Sequence, residues 1–192
     1  MKIGILALQG DVREHAAALR SCGATPLEVR SAAQLGDVDA LVLPGGESTT
    51  IGKLLDRAGL LSLLAERVDA GMPVYGTCAG LILLARDVSG PHDAPHRVGA
   101  LDVTVTRNGY GRQGESFEAD LSIEGFDEPF RAVFIRAPVV ERIGDGVDVL
   151  ARRRDEPVLV RQGLLLASSF HPEMTDDPRV HRLFVDMVEG AR

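Results

Sequence analysis

The first half of the chain alternates short apolar runs with longer segments of helical periodicity. Four apolar runs predict buried strands, at residues 2–8, 25–29, 40–43 and 73–77. Four other segments predict helices, at residues 11–22, 48–58, 60–70 and 79–86. Because strands that alternate with helices are joined by right-handed crossovers, this half predicts a parallel sheet covered by helices on both faces.

The second half follows a different pattern, in which apolar and polar positions alternate. Apolar residues stand two apart in three pairs: Val103 and Val105, Leu121 and Ile123, Val133 and Ile135. Residues 147–150, 158–160 and 164–167 continue the pattern. This period predicts antiparallel strands and hairpins added to one edge of the sheet, and residues 178–188 predict an amphipathic closing helix. Since no linker or repeat separates the halves, the sequence predicts one α/β domain over residues 1–192.

Composition and charge narrow the class of protein. Apolar residues make up 45% and charged residues 26%, as in ordinary globular proteins. A net charge of −7 disfavours binding to nucleic acid or to an anionic membrane surface. No apolar run approaches the roughly 18 residues of a membrane span, and the first run is short for a signal peptide. We therefore expect a cytoplasmic protein without nucleic-acid or membrane partners.

Cys78 stands in the sharpest local motif, Gly76-Thr77-Cys78-Ala79-Gly80, between a predicted strand and a predicted helix. Small neighbours allow the tight turn that pushes a nucleophile out of a sheet. The amides and the positive end of the following helix would favour a thiolate and could bind an oxyanion. The alternative is a buried structural cysteine beside glycines that pack helix on strand, but this frame favours the nucleophile.

His171 is the histidine best placed to act as the base for such a nucleophile. It follows the apolar run at 164–167 and opens the tripeptide His171-Pro172-Glu173. Residues two apart in an extended segment point the same way, so Glu173 could fix the imidazole tautomer and stabilise imidazolium. Alone, this tripeptide is a common loop sequence. Together with Cys78, it predicts a Cys–His–Glu triad.

The remaining histidines and the second cysteine suggest no chemistry. We expect His15 on a largely solvated side of its helix and His181 on the closing helix. His92 and His96 have the spacing of a metal pair, but a proline intervenes and no further ligand joins them, so we expect no metal site. Cys22 ends a predicted helix and is expected to be a packed small residue.

A glycine-rich segment, Pro44-Gly45-Gly46-Glu47-Ser48-Thr49-Thr50, follows a predicted strand and opens a helix. It lacks the Gly-Lys-Ser/Thr core of a phosphate loop. Ser48 is a credible N-cap, and the Gly46 amide could complete an oxyanion hole opposite Cys78. The alternative is an ordinary strand–helix connector. Both loops leave carboxyl ends of predicted parallel strands, where open α/β sheets form their sites, and this favours the functional interpretation.

In this order, the motifs at Cys78, Gly46 and His171 resemble those of the class I (triad) glutamine amidotransferases. Further segments are similar to the glutaminase subunits of pyridoxal 5′-phosphate synthases: LQGDVREH at 8–15, GGESTT at 45–50, RNGYGRQ at 107–113, SFEAD at 116–120 and FIRAP at 134–138. The match is poor over 90–99, and Tyr110 stands where phenylalanine is usual. The resemblance implies a three-layer, flavodoxin-like α/β fold with a mainly parallel central sheet and antiparallel strands added in the second half.

The resemblance also implies a reaction and a role for each matching residue. L-Glutamine and water would give L-glutamate and ammonia, with Cys78 as nucleophile, His171 as acid and base and Glu173 as the third member of the triad. The amides of Gly46 and Ala79 would hold the oxyanion. The residues implied to bind glutamine are Gly46, Glu47, Ser48, Arg107, Ile135 and Arg136.

A partner is implied as well, and no cofactor. Ammonia would pass to a synthase subunit in a hetero-oligomeric complex, and Gln9 matches a position tied to this interface and to arranging the oxyanion hole. Because glycine tolerates two peptide orientations, we expect partner docking to turn the Gly45–Gly46 peptide toward the oxyanion. The alternatives are the glutaminase of another amidotransferase, a small cysteine peptidase of similar fold, and a non-catalytic binding subunit. The intact triad argues against the last.

Overall fold

A computed structural model describes residues 1–90, 95–107, 109 and 116–191. In chain order its elements are β1 (Lys2–Leu6), α1 (Val12–Ser21), β2 (Thr25–Val29), α2 (Ala32–Gly36), β3 (Ala40–Leu43), α3 (Ser48–Arg57), α4 (Leu60–Asp69), β4 (Val74–Thr77), α5 (Ala79–Leu84), β5 (Ala85–Ser89), β6 (Leu101–Thr106), β7 (Ser116–Leu121), β8 (Phe130–Ile135), β9 (Val139–Ile143), β10 (Asp148–Arg153), β11 (Glu156–Gln162), β12 (Leu165–Ser168), a 3-10 turn (Pro172–Met174) and α6 (Arg179–Gly190).

The central sheet has seven strands in the order β10-β11-β12-β4-β3-β1-β2. The five strands from β12 to β2 are parallel, and β11 and β10 extend the sheet with antiparallel pairing. The parallel order places the second strand outside the first and then runs on in sequence, which is the order of flavodoxin-like sheets. The predicted fold class, a mainly parallel flavodoxin-like sheet, is confirmed.

Two apolar layers cover the sheet, one on each face. Successive strand residues point to opposite faces, so Ile3 and Ile5 pack with residues of α1 and α6, whereas Leu41 and Leu43 pack with residues of α3, α4 and α5. The three layers bring the ends of β1, β3, β4 and β12 to one edge, where the loops with candidate chemistry begin. Among the described residues, no helix has the length and apolar character that a membrane crossing requires.

The prediction for the second half is partly wrong. The segment predicted as an added antiparallel strand at 164–167 forms β12, which joins the central sheet parallel to β4, and β11 and β10 extend the sheet with antiparallel pairing. In contrast, β6 and β9 form a separate sheet with β5, and β7 pairs with β8 as a hairpin. Alternation specifies a strand with one buried face but does not name the surface that it covers. The apolar face of β6 packs in the layer with α3 to α5, and that of β8 packs in the layer with α1 and α6.

One helix boundary differs from the predicted one, and one short helix was not predicted. The helix after Cys78 ends at Leu84, and the segment predicted as its last turn begins β5. The short helix α2 was not predicted; Ser31 begins it by accepting a hydrogen bond from the Gln34 amide at 3.4 Å. The prediction of a single domain over residues 1–192 stays a prediction.

Candidate active site

Cys78 lies at a strained turn between β4 and α5. Its backbone has φ 47° and ψ −96°, a conformation that costs energy for any residue with a side chain. Two glycines allow the turn, because a Cβ atom on Gly80 would lie 2.1 Å from the Leu43 carbonyl oxygen and one on Gly76 would lie 2.5 Å from the Gly80 carbonyl carbon. The helix therefore packs directly on the strands, and this close packing sets the sharp turn at the cysteine.

His171 and Glu173 follow β12 and approach Cys78 from the neighbouring strand. The Nδ1 atom of His171 lies 2.7 Å from Oε1 of Glu173. A carboxylate only accepts hydrogen bonds, so Nδ1 carries the hydrogen and Nε2 is the basic nitrogen. Nε2 is buried and has no hydrogen-bond partner among the described residues. The contact was predicted, but through an extended segment; a 3-10 turn at Pro172–Met174 makes it instead.

Charge in this cluster favours a protonated imidazole. Burial alone would lower the pKa of His171, but its charge interactions with Cys78 and Glu173 and its hydrogen bond with Glu173 outweigh burial and raise the pKa to about 10. Burial raises the pKa of the Glu173 carboxyl, and its hydrogen bond with His171 opposes that rise. The hydrogen bond links the imidazole to the carboxylate, and Cys78 and His171 line the same cleft.

A second carboxylate, Asp11, lies at the site and was not predicted. Oδ2 of Asp11 lies 3.7 Å from Nδ1 of His171, and burial raises the pKa of this carboxyl. Its signal was its place directly after the first predicted strand, at the same edge of the sheet as Cys78 and His171. Position relative to the strand end, rather than residue type, would have found it.

The expectation of a solvated position for His15 is wrong, whereas His181 lies on the closing helix as expected. Both side chains are completely buried, and Nδ1 of His15 lies 2.9 Å from Nε2 of His181. Nε2 of His15 lies 3.2 Å from Oγ1 of Thr77 and 3.5 Å from Oε1 of Glu173. The missed signal was that His15 stands one helical turn before the buried Leu19 and therefore shares its face of α1.

The glycine-rich loop after β3 forms one wall of the site. Gly46 has φ 148°, which only glycine adopts readily, and the amide of Glu47 donates to Oε1 of Gln9 at 2.9 Å. The predicted N-cap, Ser48, is wrong, because Glu47 caps α3: its carboxylate accepts from the amides of the next two threonines at 3.1 and 2.7 Å. Burial opposes ionisation of Glu47, but these hydrogen bonds outweigh it and lower its pKa to about 2.

A cleft of about 430 Å³ opens over the cysteine. It is lined by Asp11, Gly46, Glu47, Ser48, Cys78, Ile82, Arg107, Ile135, Arg136, His171 and Met174. The structure therefore brings all six residues expected to bind substrate together with Cys78 and His171, two members of the predicted triad. Arg107 donates to Oε1 of Glu47 and to Oγ1 of Thr49, both at 2.9 Å. Ala79 and Gln9 are not among the residues that line the cleft. Ala79 is buried at the start of α5, and Gln9 contacts the cleft residue Glu47.

Three side chains in the described part of the chain could supply ligand atoms to a metal ion. These atoms of Asp11, His171 and Glu173 lie within 4.8 Å of one another. The imidazole nitrogen that faces both carboxylates, Nδ1, already donates its hydrogen to Glu173. Of the two histidines with the spacing of a metal pair, His96 lies 3.4 Å from Asp56, measured between Nδ1 and Oδ2, and His92 lies outside the described residues.

The chain is similar in sequence to known proteins along nearly its whole length. A model of the SNO glutamine amidotransferase family matches residues 5–190. The pyridoxal 5′-phosphate synthase subunit PdxT of Frankia alni is 62% identical over 192 residues, which cover 99% of this chain and 96% of that protein. The corresponding protein of Mycobacteroides abscessus is 58% identical over 189 residues, which cover 98% of each chain.

Solved structures agree with the sequence relatives. A crystal structure of a glutamine amidotransferase has a TM-score of 0.93 and 53% identity, covering 97% of this chain and 98% of that one. The contact between His171 and Glu173, the flavodoxin-like sheet and the family match point to one assignment. The chain belongs to the SNO glutamine amidotransferase family.

Proposed function

We propose that this chain is the glutaminase subunit of a pyridoxal 5′-phosphate synthase, converting L-glutamine and water to L-glutamate and ammonia. The relatives named above bear the name of a pyridoxal 5′-phosphate synthase subunit, and this chain matches them over nearly their full length. The observation that carries the chemistry is His171, which is held by Glu173 through Nδ1 and interacts with Cys78. This arrangement suits a nucleophile that needs a proton donor for its leaving group.

The first half of the reaction forms a covalent intermediate. The sulfur of Cys78 attacks the side-chain carboxamide carbon of glutamine, and the C–N bond breaks as Nε2 of His171 gives its proton to the departing ammonia. Glu173 stabilises the imidazolium before that transfer through its charge and its hydrogen bond at 2.7 Å. The product of this half is a γ-glutamyl thioester.

The second half consumes water. Nε2 of His171, now neutral, takes a proton from a water molecule whose oxygen attacks the thioester, and the C–S bond breaks to release glutamate. In both halves the amides of Gly46 and Ala79 would hold the oxyanion. One such donor typically contributes about 2.7–4 kcal/mol to the transition state.

Substrate recognition is assigned to the cleft wall. Gly46, Glu47, Ser48, Arg107, Ile135 and Arg136 all line it. An arginine suits the substrate carboxylate because its donors are bidentate, and a glutamate suits the α-amino group because it stays ionised. The low pKa of Glu47, about 2, means that this carboxylate is negative at neutral pH.

The loop at Gly46 is the point where a partner could control activity. Its amide belongs to the Gly45–Gly46 peptide, and the amide of the next residue, Glu47, is held by Gln9 at 2.9 Å. Gly46 with φ 148° can change its peptide orientation without a Cβ clash. We propose that docking of the synthase subunit turns the Gly45–Gly46 peptide toward the oxyanion, so that ammonia is released only beside its acceptor.

The test is a glutaminase assay on the chain alone and with the synthase subunit of a relative's pyridoxal 5′-phosphate synthase. We expect glutamate release to rise by about 10²-fold or more in the complex, the size expected when one oxyanion donor is added. Equal rates with and without the partner would refute activation by docking but leave the glutaminase assignment intact. No turnover under either condition would favour the non-catalytic binding subunit.

Gly45 offers a second test because it packs against the catalytic imidazole. A Cβ atom there would lie 2.4 Å from Cε1 and 2.9 Å from Nδ1 of His171, so the ring must move. We expect Gly45→Ala to lower kcat by about 10²-fold, as a displacement of about 1 Å does in other enzymes. Gly36→Ala is the matched control, since nothing lies within 4 Å of its added Cβ. Near wild-type kcat in Gly45→Ala would show that the ring position is not critical.

We also propose that the chain is one domain in the cytoplasm. Two described features support a reducing compartment: Cys22 and Cys78 are both free and both buried. A nucleophilic thiol must stay reduced to act. Secretion of the active protein in its natural host would contradict this location.

A further inference from the structure

His15 is a buried polar side chain that the reaction described above does not use. It lies on α1, fully enclosed, between His181 of α6 and the triad carboxylate. Its Nδ1 atom is 2.9 Å from Nε2 of His181, and its Nε2 atom is 3.2 Å from Oγ1 of Thr77 and 3.5 Å from Oε1 of Glu173. A buried polar group with three polar neighbours is an arrangement that the fold has to maintain.

Both histidines are neutral at physiological pH. Burial lowers the pKa of His15 well below its usual value, and the nearby His181 and His171 lower it further. Burial also lowers the pKa of His181 to about 4. Each ring therefore carries one hydrogen, and the question is which nitrogen holds it.

The contacts select one arrangement of these hydrogens. If Nδ1 of His15 held the hydrogen, the Nε2 lone pair of His15 would face the Glu173 carboxylate. Nε2 of His181 would then have to accept, so Nδ1 of His181 would carry the hydrogen of that ring. This Nδ1 atom is buried and has no hydrogen-bond partner among the described residues. Buried N–H groups without an acceptor are rarer than buried acceptors without a donor. Both rings therefore hold their hydrogen on Nε2: His181 donates to His15, and His15 directs its N–H at Thr77 and Glu173.

Glu173 has few other groups to stabilise its charge. Its Oε2 atom is buried and has no hydrogen-bond partner in the described part of the chain. Burial raises its pKa, as does the nearby charge of Asp11, whereas the contact with His171 and a backbone hydrogen bond lower it. The phenol of Tyr75, another titratable neighbour, is kept neutral by burial, which raises its pKa.

We propose that His15 is a positioning residue for the triad: its Nε2–H holds the Glu173 carboxylate in the orientation that His171 requires. A neutral donor does this without adding a positive charge that would compete with imidazolium for the same carboxylate. His181 fixes the tautomer of His15, so the line His181–His15–Glu173–His171–Cys78 joins α6 to the nucleophile. The kinetic part of this inference rests on the proposed function.

Two substitutions of similar size separate positioning from packing. The amide nitrogen of His15→Gln can reach the place of Nε2 and donate toward Glu173, whereas that of His15→Asn reaches only the place of Nδ1, beside His181. We expect His15→Asn to lower kcat by about 10- to 100-fold with KM unchanged, the range known for groups that orient a metal's ligands. We expect His15→Gln to recover most of that loss. Equal kcat values for the two variants at matched thermal stability would overturn the proposal.

A measurement on the unaltered chain tests the tautomer without any assay of activity. Ring-nitrogen NMR shifts of ¹⁵N-histidine-labelled protein distinguish a protonated Nε2 from a protonated Nδ1. We expect both His15 and His181 to be protonated on Nε2 at neutral pH, with assignments from the His15→Gln and His181→Gln spectra. A hydrogen on Nδ1 of His15 would refute the proposal even if the chain hydrolyses glutamine. Absence of turnover in the wild-type complex, together with the expected tautomers, would instead refute the glutaminase function.

Discussion

Replacing Cys78 with alanine should abolish glutamine hydrolysis while the fold and the partner complex persist. The sulfur is the only group proposed to form a bond to substrate, and removing the nucleophile from a hydrolase triad lowers kcat by about 10⁶-fold. Alanine also removes little volume from the turn, and the two glycine contacts that shape it are unaffected. The measurement is glutamate formation by the complex, with complex formation followed by size-exclusion chromatography.

Cys22→Ala is the matched control for this experiment. Cys22 is also buried, but its sulfur lies 3.7 Å from the Pro178 carbonyl oxygen, in the layer with α6. We expect its variant to retain turnover. Turnover in Cys78→Ala equal to that of the wild type would exclude Cys78 as nucleophile. Hydrolysis of peptides by the wild-type chain in preference to glutamine would favour the cysteine peptidase alternative.

Replacing Glu173 with glutamine should lower kcat by about 10⁴-fold, the loss seen when the triad carboxylate of a serine protease becomes an amide. The carboxylate selects the His171 tautomer with hydrogen on Nδ1 and supports the imidazolium. An amide has no charge and can present its own N–H to the ring. Steady-state kinetics of the complex with glutamine measure the loss.

The same variant should change the titration of His171. Its pKa of about 10 depends on Cys78 and Glu173 together, which outweigh the effect of burial. Loss of the negative charge should therefore lower this pKa, as followed by ¹⁵N NMR of the ring. Glu66→Gln, on the exposed side of α4, removes the same charge far from the triad and serves as control. An unchanged His171 titration in Glu173→Gln would contradict the assigned contact.

The parts of the fold that were predictable from sequence are those with strong local causes. The turn at Cys78 follows from two glycines at a strand–helix junction, and the parallel half of the sheet follows from alternating strands and helices. The edge that collects Cys78, Gly46 and His171 follows from the parallel direction of their strands. Each of these needs only neighbouring residues and the handedness of the chain.

The remaining features depend on contacts between distant segments. The alternation of apolar residues in β6 shows that one of its faces is buried. It does not show that this face packs in the layer with α5 rather than at the edge of the central sheet. His15 is buried because α6 and the turn at Glu173 close over α1; its spacing from Leu19 indicates which face of the helix it shares, but not which elements cover that face. Ser48 was predicted as the N-cap because serine is a common capping residue. Glu47 caps the helix instead, because its longer side chain reaches two amides.

The close approach between Gly80 and Leu43 has a consequence for how such a chain can diverge. The atom nearest to the place of the missing Cβ is a main-chain oxygen, at 2.1 Å, and the nearest side-chain atom, at 3.0 Å, is the leucine Cβ, which every residue except glycine carries. Leu43 can therefore be exchanged during evolution for another apolar residue of similar bulk without altering the elbow. Gly80 has no such latitude, so mutational drift in the surrounding core should spare the glycine long after its neighbours have been replaced.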